Sequence, residues 1–245
     1  MMSRIWPIAL AVVTDSLRRK VVYVVVFFAG LLAVAIPFLP DYGLGVQGSV
    51  FREVALALAF ATALVITLSL AANRIPGEVD RRTVYNIIAK GVSRWEYLAG
   101  TWFGVFLVAG GAIAAFTLIE LVIGYLNYGE IMWRLWQGAL AIWLEMGVIA
   151  ALAAAISTVA GPVVVVTATL ATLFIGHSRS TLLGGEGALA FRPFYPSLDA
   201  FNVVNPVAHG AGAPPEYLLG MLGVFLGFVG AALIIGGIML GRRDL

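Results

Sequence analysis

Two carboxylates stand where carboxylates are costly. Glu120 lies inside the apolar stretch 98–126 and Glu145 inside 138–158. A charged side chain at the centre of a bilayer costs roughly 3 kcal/mol on insertion scales, so such a residue faces protein or water. Glu120 and Glu145 are therefore candidates for lining a path across the membrane. The structural alternative is hydrogen bonding to Ser, Thr or Tyr on neighbouring helices. His177 and His209 are the only histidines, and the chain has no cysteine. Thiolate chemistry and disulfides are excluded. Two lone histidines do not make a metal site. Ser157 and Ser178 lack the Gly-x-Ser-Gly setting of a serine nucleophile.

The densest charge lies elsewhere, in the stretch 73–96 (NRIPGEVDRRTVYNIIAKGVSRWE). It carries helix grammar. Asp80 is placed to cap a short helix reaching about Lys90, and Gly91 is placed to stop it in the left-handed conformation. Ser93 and Glu96 then form a capping box that opens the next helix. Within the short helix Val84, Ile87 and Ile88 share one face at i, i+3 and i+4, and Tyr85 widens it. Asp80, Arg81, Arg82 and Lys90 form a charged rim. An apolar stripe with a charged rim suits docking into a partner's groove. An amphipathic helix resting on lipid headgroups is the alternative.

These residues need a scaffold, and composition says what kind. Of 245 residues 61% are hydrophobic and 11% charged, against about 25% charged in soluble domains. With a mean hydropathy of +0.99, the chain reads as an all-α polytopic membrane protein in one domain, 1–245. Apolar runs predict six spans at about 21–39, 54–72, 98–126, 138–158, 163–176 and 217–240, with the polar loop 73–96 and a polar, Gly/Pro-rich segment 177–215 between them. Residues 3–20, with Ile5, Ile8, Val12 and Ser16 at helical spacing, predict an interfacial helix ahead of the first span. A cleaved leader is not expected, because the basic cluster follows this segment and the next run is long enough to span.

Six spans place both termini on one side. That side carries Arg4, Arg18, Arg19, Lys20, Arg74, Arg81, Arg82, Lys90, Arg94, Arg242 and Arg243; the other carries Arg52, Arg134, Arg179 and Arg192. The positive-inside rule then puts both termini and the loop 73–96 in the cytoplasm, in the cell membrane. Trp6, Trp95 and Trp102 fall near the inner boundary and Trp133, Trp136 and Trp143 near the outer one. No basic stripe suits nucleic acid. In 177–215, Ser197 is placed to cap a short helix ending before Pro206, and Phe191, Phe194, Tyr195, Leu198 and Phe201 form an apolar face. Gly220, Gly223, Gly227 and Gly230 on the last span permit close helix approach, within the chain or to a second copy.

This layout resembles the membrane subunit of an ABC-2 type transporter. The matching residues are Glu78, Arg82-Thr83 and Val92-Ser93-Arg94; Gly91 stands where the family carries Pro, and Gly100-Thr101 where it carries Gly-Lys. In size the chain is similar to permeases of nitrous-oxide-reductase maturation and of multidrug export. The resemblance implies a permease that pairs with a second permease copy and with a cytoplasmic ABC ATPase, and it makes the helix Asp80–Lys90 the coupling helix, with Gly91, Ser93, Arg94 and Glu96 as its rigid restart into the membrane. No GxxxxGK[ST] occurs in the chain. No cofactor and no enzymatic role are therefore expected here, and ATP and Mg belong to the partner. The alternatives are a secondary transporter or channel without an ATPase, and a structural membrane partner in a larger assembly.

Overall fold

The computed structural model describes residues 2–18, 21–39, 46–80, 91–178 and 197–242. Among them are eight α-helices: α1 (Met2–Arg18), α2 (Val21–Ala35), α3 (Val46–Asp80), α4 (Arg94–Tyr128), α5 (Leu135–Ser157), α6 (Pro162–His177), α7 (Val204–Ala208) and α8 (Pro215–Arg242). Five apolar stretches are long enough to cross a membrane, namely Val21–Phe38, Gln47–Glu78, Arg94–Tyr128, Leu135–Ser157 and Pro215–Arg242. The remaining expected span is α6. Its 16 residues make about 24 Å of helix, short of a hydrocarbon core of about 30 Å. Among the described residues five helices are thus long and apolar enough to cross, and a sixth crossing is not confirmed.

The helices also outrun the spans. α3 begins at Val46, inside what reads as a loop, and continues to Asp80, so the first eight residues of the charged stretch are a helical extension of the second span. The described part of this helix reaches Asp80, and the expected cap of a short helix by Asp80 lies at the edge of residues 81–90, outside the described residues. α3 and α4 each have 35 residues, about 52 Å, so each projects beyond any hydrocarbon layer. The end of the bundle where α3 finishes and α4 begins is called the base here, and the opposite end the crown.

α5 is the central helix, packed against α3, α4, α6 and α8. Small residues let its neighbours close in. A Cβ on Gly147 would stand 2.5 Å from Phe225 and 2.8 Å from Phe106. Two tryptophans fasten α4 to α5 reciprocally: Trp102 Nε1 donates to the Gly147 carbonyl (2.9 Å) and Trp143 Nε1 donates to the Phe106 carbonyl (2.9 Å). Phe106 lies between them, stacked on Trp143 at 4.5 Å and on Trp102 at 5.5 Å. Such pairs contribute about 0.5–1.5 kcal/mol each beyond burial. α8 contributes the narrow stripe Met221, Phe225, Val229, Ala232, Gly236 and Leu240, spaced by three or four; the rest of its surface is apolar and exposed, as a lipid-facing helix requires.

α1 packs across the start of α4. The stripe predicted from its periodicity faces inward, with Val12 and Ser16 buried and Ile5 and Ile8 half-buried. A Cβ on Gly104 would meet Val12 at 2.5 Å, so this glycine makes the seat. Its Trp6, Leu10 and Leu17 point outward.

The crown is closed by irregular chain. Leu198, Phe201, Val203 and Val207 are buried in the same core as α3, α5 and α8. Ser197 precedes a 3-10 turn, Leu198–Phe201, and its side chain does not cap it; the helix that follows, α7, contains Pro206 instead of ending before it. Three side chains hold this segment. Arg52 Nε donates to the Ala208 carbonyl (2.6 Å), which closes the end of α7. Gln137 Oε1 accepts from Ala213 N (2.8 Å). The Tyr217 hydroxyl donates to the Ala200 carbonyl (2.9 Å). Non-helical backbone at membrane depth is tolerated only when buried and bonded in this way. Phe191, Phe194 and Tyr195 lie outside the described residues.

Candidate functional site

At the base, both ends of the charged stretch are tied down. On the α3 side, Arg74 Nη1 reaches Asp15 Oδ2 of α1 at 2.9 Å, and Arg74 Nε reaches Glu78 Oε1 at 2.5 Å, one turn on. The Nε contact is off line for a hydrogen bond and is counted as Coulombic. The Tyr97 hydroxyl, from α4, donates to Glu78 Oε2 (2.6 Å). Arg74 and Glu78 are 18% and 17% exposed, so the network is shielded more than a surface pair worth 0–1 kcal/mol. It joins α1, α3 and α4 through polar contacts that a change of register would break.

On the α4 side the local sequence closes its own helix end. Gly91 has φ +78°, the left-handed region. Ser93 is extended (φ −71°, ψ 152°); its Oγ accepts from Glu96 N (3.2 Å), and Ser93 N donates to Glu96 Oε2 (2.9 Å). This is the reciprocal capping box that the Ser93-x-x-Glu96 spacing predicts. Arg4 of α1 donates to the Gly91 carbonyl. Arg94 Nη1 donates to the carbonyls of Leu240 (2.6 Å) and Gly241 (3.0 Å), so it caps the last turn of α8. A cation there is favoured by the helix dipole as well as by the bonds. Gly237 of α8 lies under Trp95, and Gly236 lies against Ala155 of α5.

Ten residues span the gap between these two anchored ends. Arg81, Arg82, Val84, Tyr85, Ile87, Ile88 and Lys90, the expected docking helix, lie outside the described residues; of Asp80 only the backbone is described. What the structure gives is the mounting: the segment begins at the end of α3 and finishes one residue before Gly91.

The intramembrane carboxylates are both sealed from solvent, Glu120 at 0% and Glu145 at 2% exposure. Neither Glu120 oxygen has a hydrogen-bond partner among the described residues. Glu145 Oε1 faces His177 Nε2 at 3.5 Å. His177 ends α6 and its ring stands edge-on to Phe60 of α3 at 6.1 Å. Sequence reasoning placed His177 beside the polar segment and missed this pairing. The two residues are 32 apart, and nothing local signals that the shorter α6 ends at the level of Glu145. His209 is exposed, its Nδ1 3.0 Å from the Asn205 carbonyl.

The glycines divide in a way that sequence did not anticipate. Among the described residues, no heavy atom lies within 4 Å of a Cβ position at Gly220, Gly223, Gly227 or Gly230, so these glycines make no close packing there. The close approaches come from other positions, Gly104, Gly110, Gly138, Gly147 and Gly237 among them. No protein-family model and no curated protein matches the sequence. Five long apolar helices around a shared core, with irregular chain buried at the crown, make this a helical multi-pass membrane protein.

Proposed function

We propose that the chain is the permease subunit of an ATP-driven exporter, and that a cytoplasmic ATPase with its bound ATP and Mg docks on residues 80–90. The observation that carries the reading is the mounting of that segment. It is suspended between two helix ends, and those ends are bonded to α1 through Asp15–Arg74 and to α8 through Arg94. Force applied at 80–90 therefore reaches four helices at once instead of being lost in a flexible loop. Val84, Ile87 and Ile88 supply the apolar stripe and Arg81, Arg82 and Lys90 the charge that sets register. Six crossings, cytoplasmic termini and pairing with a second permease copy belong to the same proposal.

The test begins with whether the adjacent reading frame encodes a soluble Walker-A protein; co-purification with that protein then compares the wild type with Ile87→Asp plus Ile88→Asp. We expect the double variant to lose at least 90% of the bound ATPase while the permease remains folded. Undiminished association overturns the docking assignment. A second reading is favoured by one observation: Glu145 meeting His177 inside the bundle is the kind of buried ionisable contact found along ion pathways of secondary transporters. Transport into vesicles that requires an ion gradient, and proceeds without any ATPase, would select it.

A further inference from the structure

Between α1, α2 and α3 at the base lies a cleft of about 470 Å³, within the size range of small-molecule sites. Its walls differ in character. Arg18, Arg74, Asn73, Ser69 and the Asp15 carboxylate border its polar side, with two guanidinium groups against one carboxylate, and Val21, Val24 and Ile66 border its apolar side. We propose that this cleft holds an anionic phospholipid from the leaflet on the base side, with the phosphate at Arg18 and an acyl chain along Val21, Val24 and Ile66.

Charge selects the occupant. Arg74 is already held by Asp15 and Glu78, and Asn73 donates to the Ser69 carbonyl (2.9 Å). Arg18 makes no ion pair among the described residues, and Arg19 and Lys20 follow it in sequence. Among the described residues the cleft thus offers one guanidinium without an ion pair, Arg18, set beside the Asp15–Arg74 pair that lines the same cleft. Basic pockets between helices at a membrane face recruit anionic headgroups. Free phosphate satisfies the guanidinium and leaves the apolar wall wet; a zwitterionic lipid satisfies the wall and brings no net charge. Only an anionic lipid uses both sides. It fills the space between α1 and α3, which the Asp15–Arg74 ion pair bridges. The inference rests on the membrane reading and not on the exporter reading.

The experiment is thermal unfolding of the purified full chain in detergent with added phosphatidylglycerol, phosphatidylcholine or inorganic phosphate, together with native mass spectrometry. Phosphatidylglycerol at saturation is expected to raise Tm by about 5 °C and to leave a one-lipid adduct, with phosphatidylcholine and phosphate giving less than a third of that shift. Arg18→Gln should abolish the difference between the two lipids. Val24→Trp, which fills the apolar wall and keeps Arg18, should abolish the adduct. Equal shifts from both lipids, an equal shift from phosphate, or an unchanged response and adduct in both variants overturns the site. Loss of ATPase docking in the Ile87/Ile88 variant leaves this result unaffected, so the two proposals fail separately.

Discussion

At Gly147 a hydrogen atom is all the space there is. Alanine there would drive a methyl group into Phe225 and Phe106 from opposite helices, and both rings are already stacked at 5.5 Å. We expect Gly147→Ala to lower stability by about 1–3 kcal/mol, the range for overpacking. Gly223→Ala, where a Cβ meets nothing, should leave Tm unchanged or slightly raised, since alanine is the better helix former. Thermal unfolding of the two variants side by side checks both. The sequence offers the same residue type at both places, and its Gly-x-x-x-Gly spacing marks glycines that pack on nothing among the described residues of this chain. Which glycine is crowded depends on what the facing helix presents, a tertiary fact with no local signature. Glu145 and His177 have the same character: both are visible as unusual residues, and their meeting is not. A double-mutant cycle with Glu145→Gln and His177→Phe should show non-additivity of roughly 0.5–3 kcal/mol, as for residues in contact. Additive effects would mean that the 3.5 Å approach contributes nothing.

Helix ends were more legible than helix lengths. The capping box at Ser93 and Glu96 and the left-handed Gly91 follow from local rules, because the atoms that satisfy them are within three residues of one another. The true extent of α3 was not legible. Hydropathy marks where a chain can contact lipid, and nothing obliges a helix to stop at that boundary; Asn73–Asp80 continues the helix because Arg74 finds Asp15 and Glu78 along its flank. At this scale Ser93→Ala should cost about 1 kcal/mol, the usual loss for an N-cap. Amide exchange over residues 94–97 should accelerate while exchange in the middle of α4 stays unchanged. Fast exchange along all of α4 would mean that the box holds more than its own turn.

The whole molecule carries no cysteine, so its path across a membrane can be mapped with single introduced thiols. Gly161, in the turn between α5 and α6, and Gly210, at the crown, are both exposed. With six crossings, a thiol at Gly161 is labelled from the cytoplasmic side by an impermeant reagent and one at Gly210 from the opposite side. Labelling of both from one side would mean that α6 does not traverse. The bundle, its polar base and its apolar girth were readable from composition and periodicity, because the bilayer imposes both on any sequence that enters it. The order of packing, with α5 at the centre and α8 presenting a single stripe, was not, since every apolar run looks alike to a hydropathy scale.

The seating of α1 has a consequence for how the protein is made. α1 leaves the ribosome before α4, yet the groove it fills is built around Gly104 of α4, on the order of ninety residues later. At about 5–20 residues per second that is several seconds during which a helix with one greasy flank lacks the α4 groove that seats it. The membrane surface is an apolar phase within reach over that interval. The N-terminal helix is therefore expected to lodge there first and to be collected by α4 afterwards. Nascent chains stalled before residue 100 should leave α1 open to proteolysis, and chains stalled after α5 should protect it.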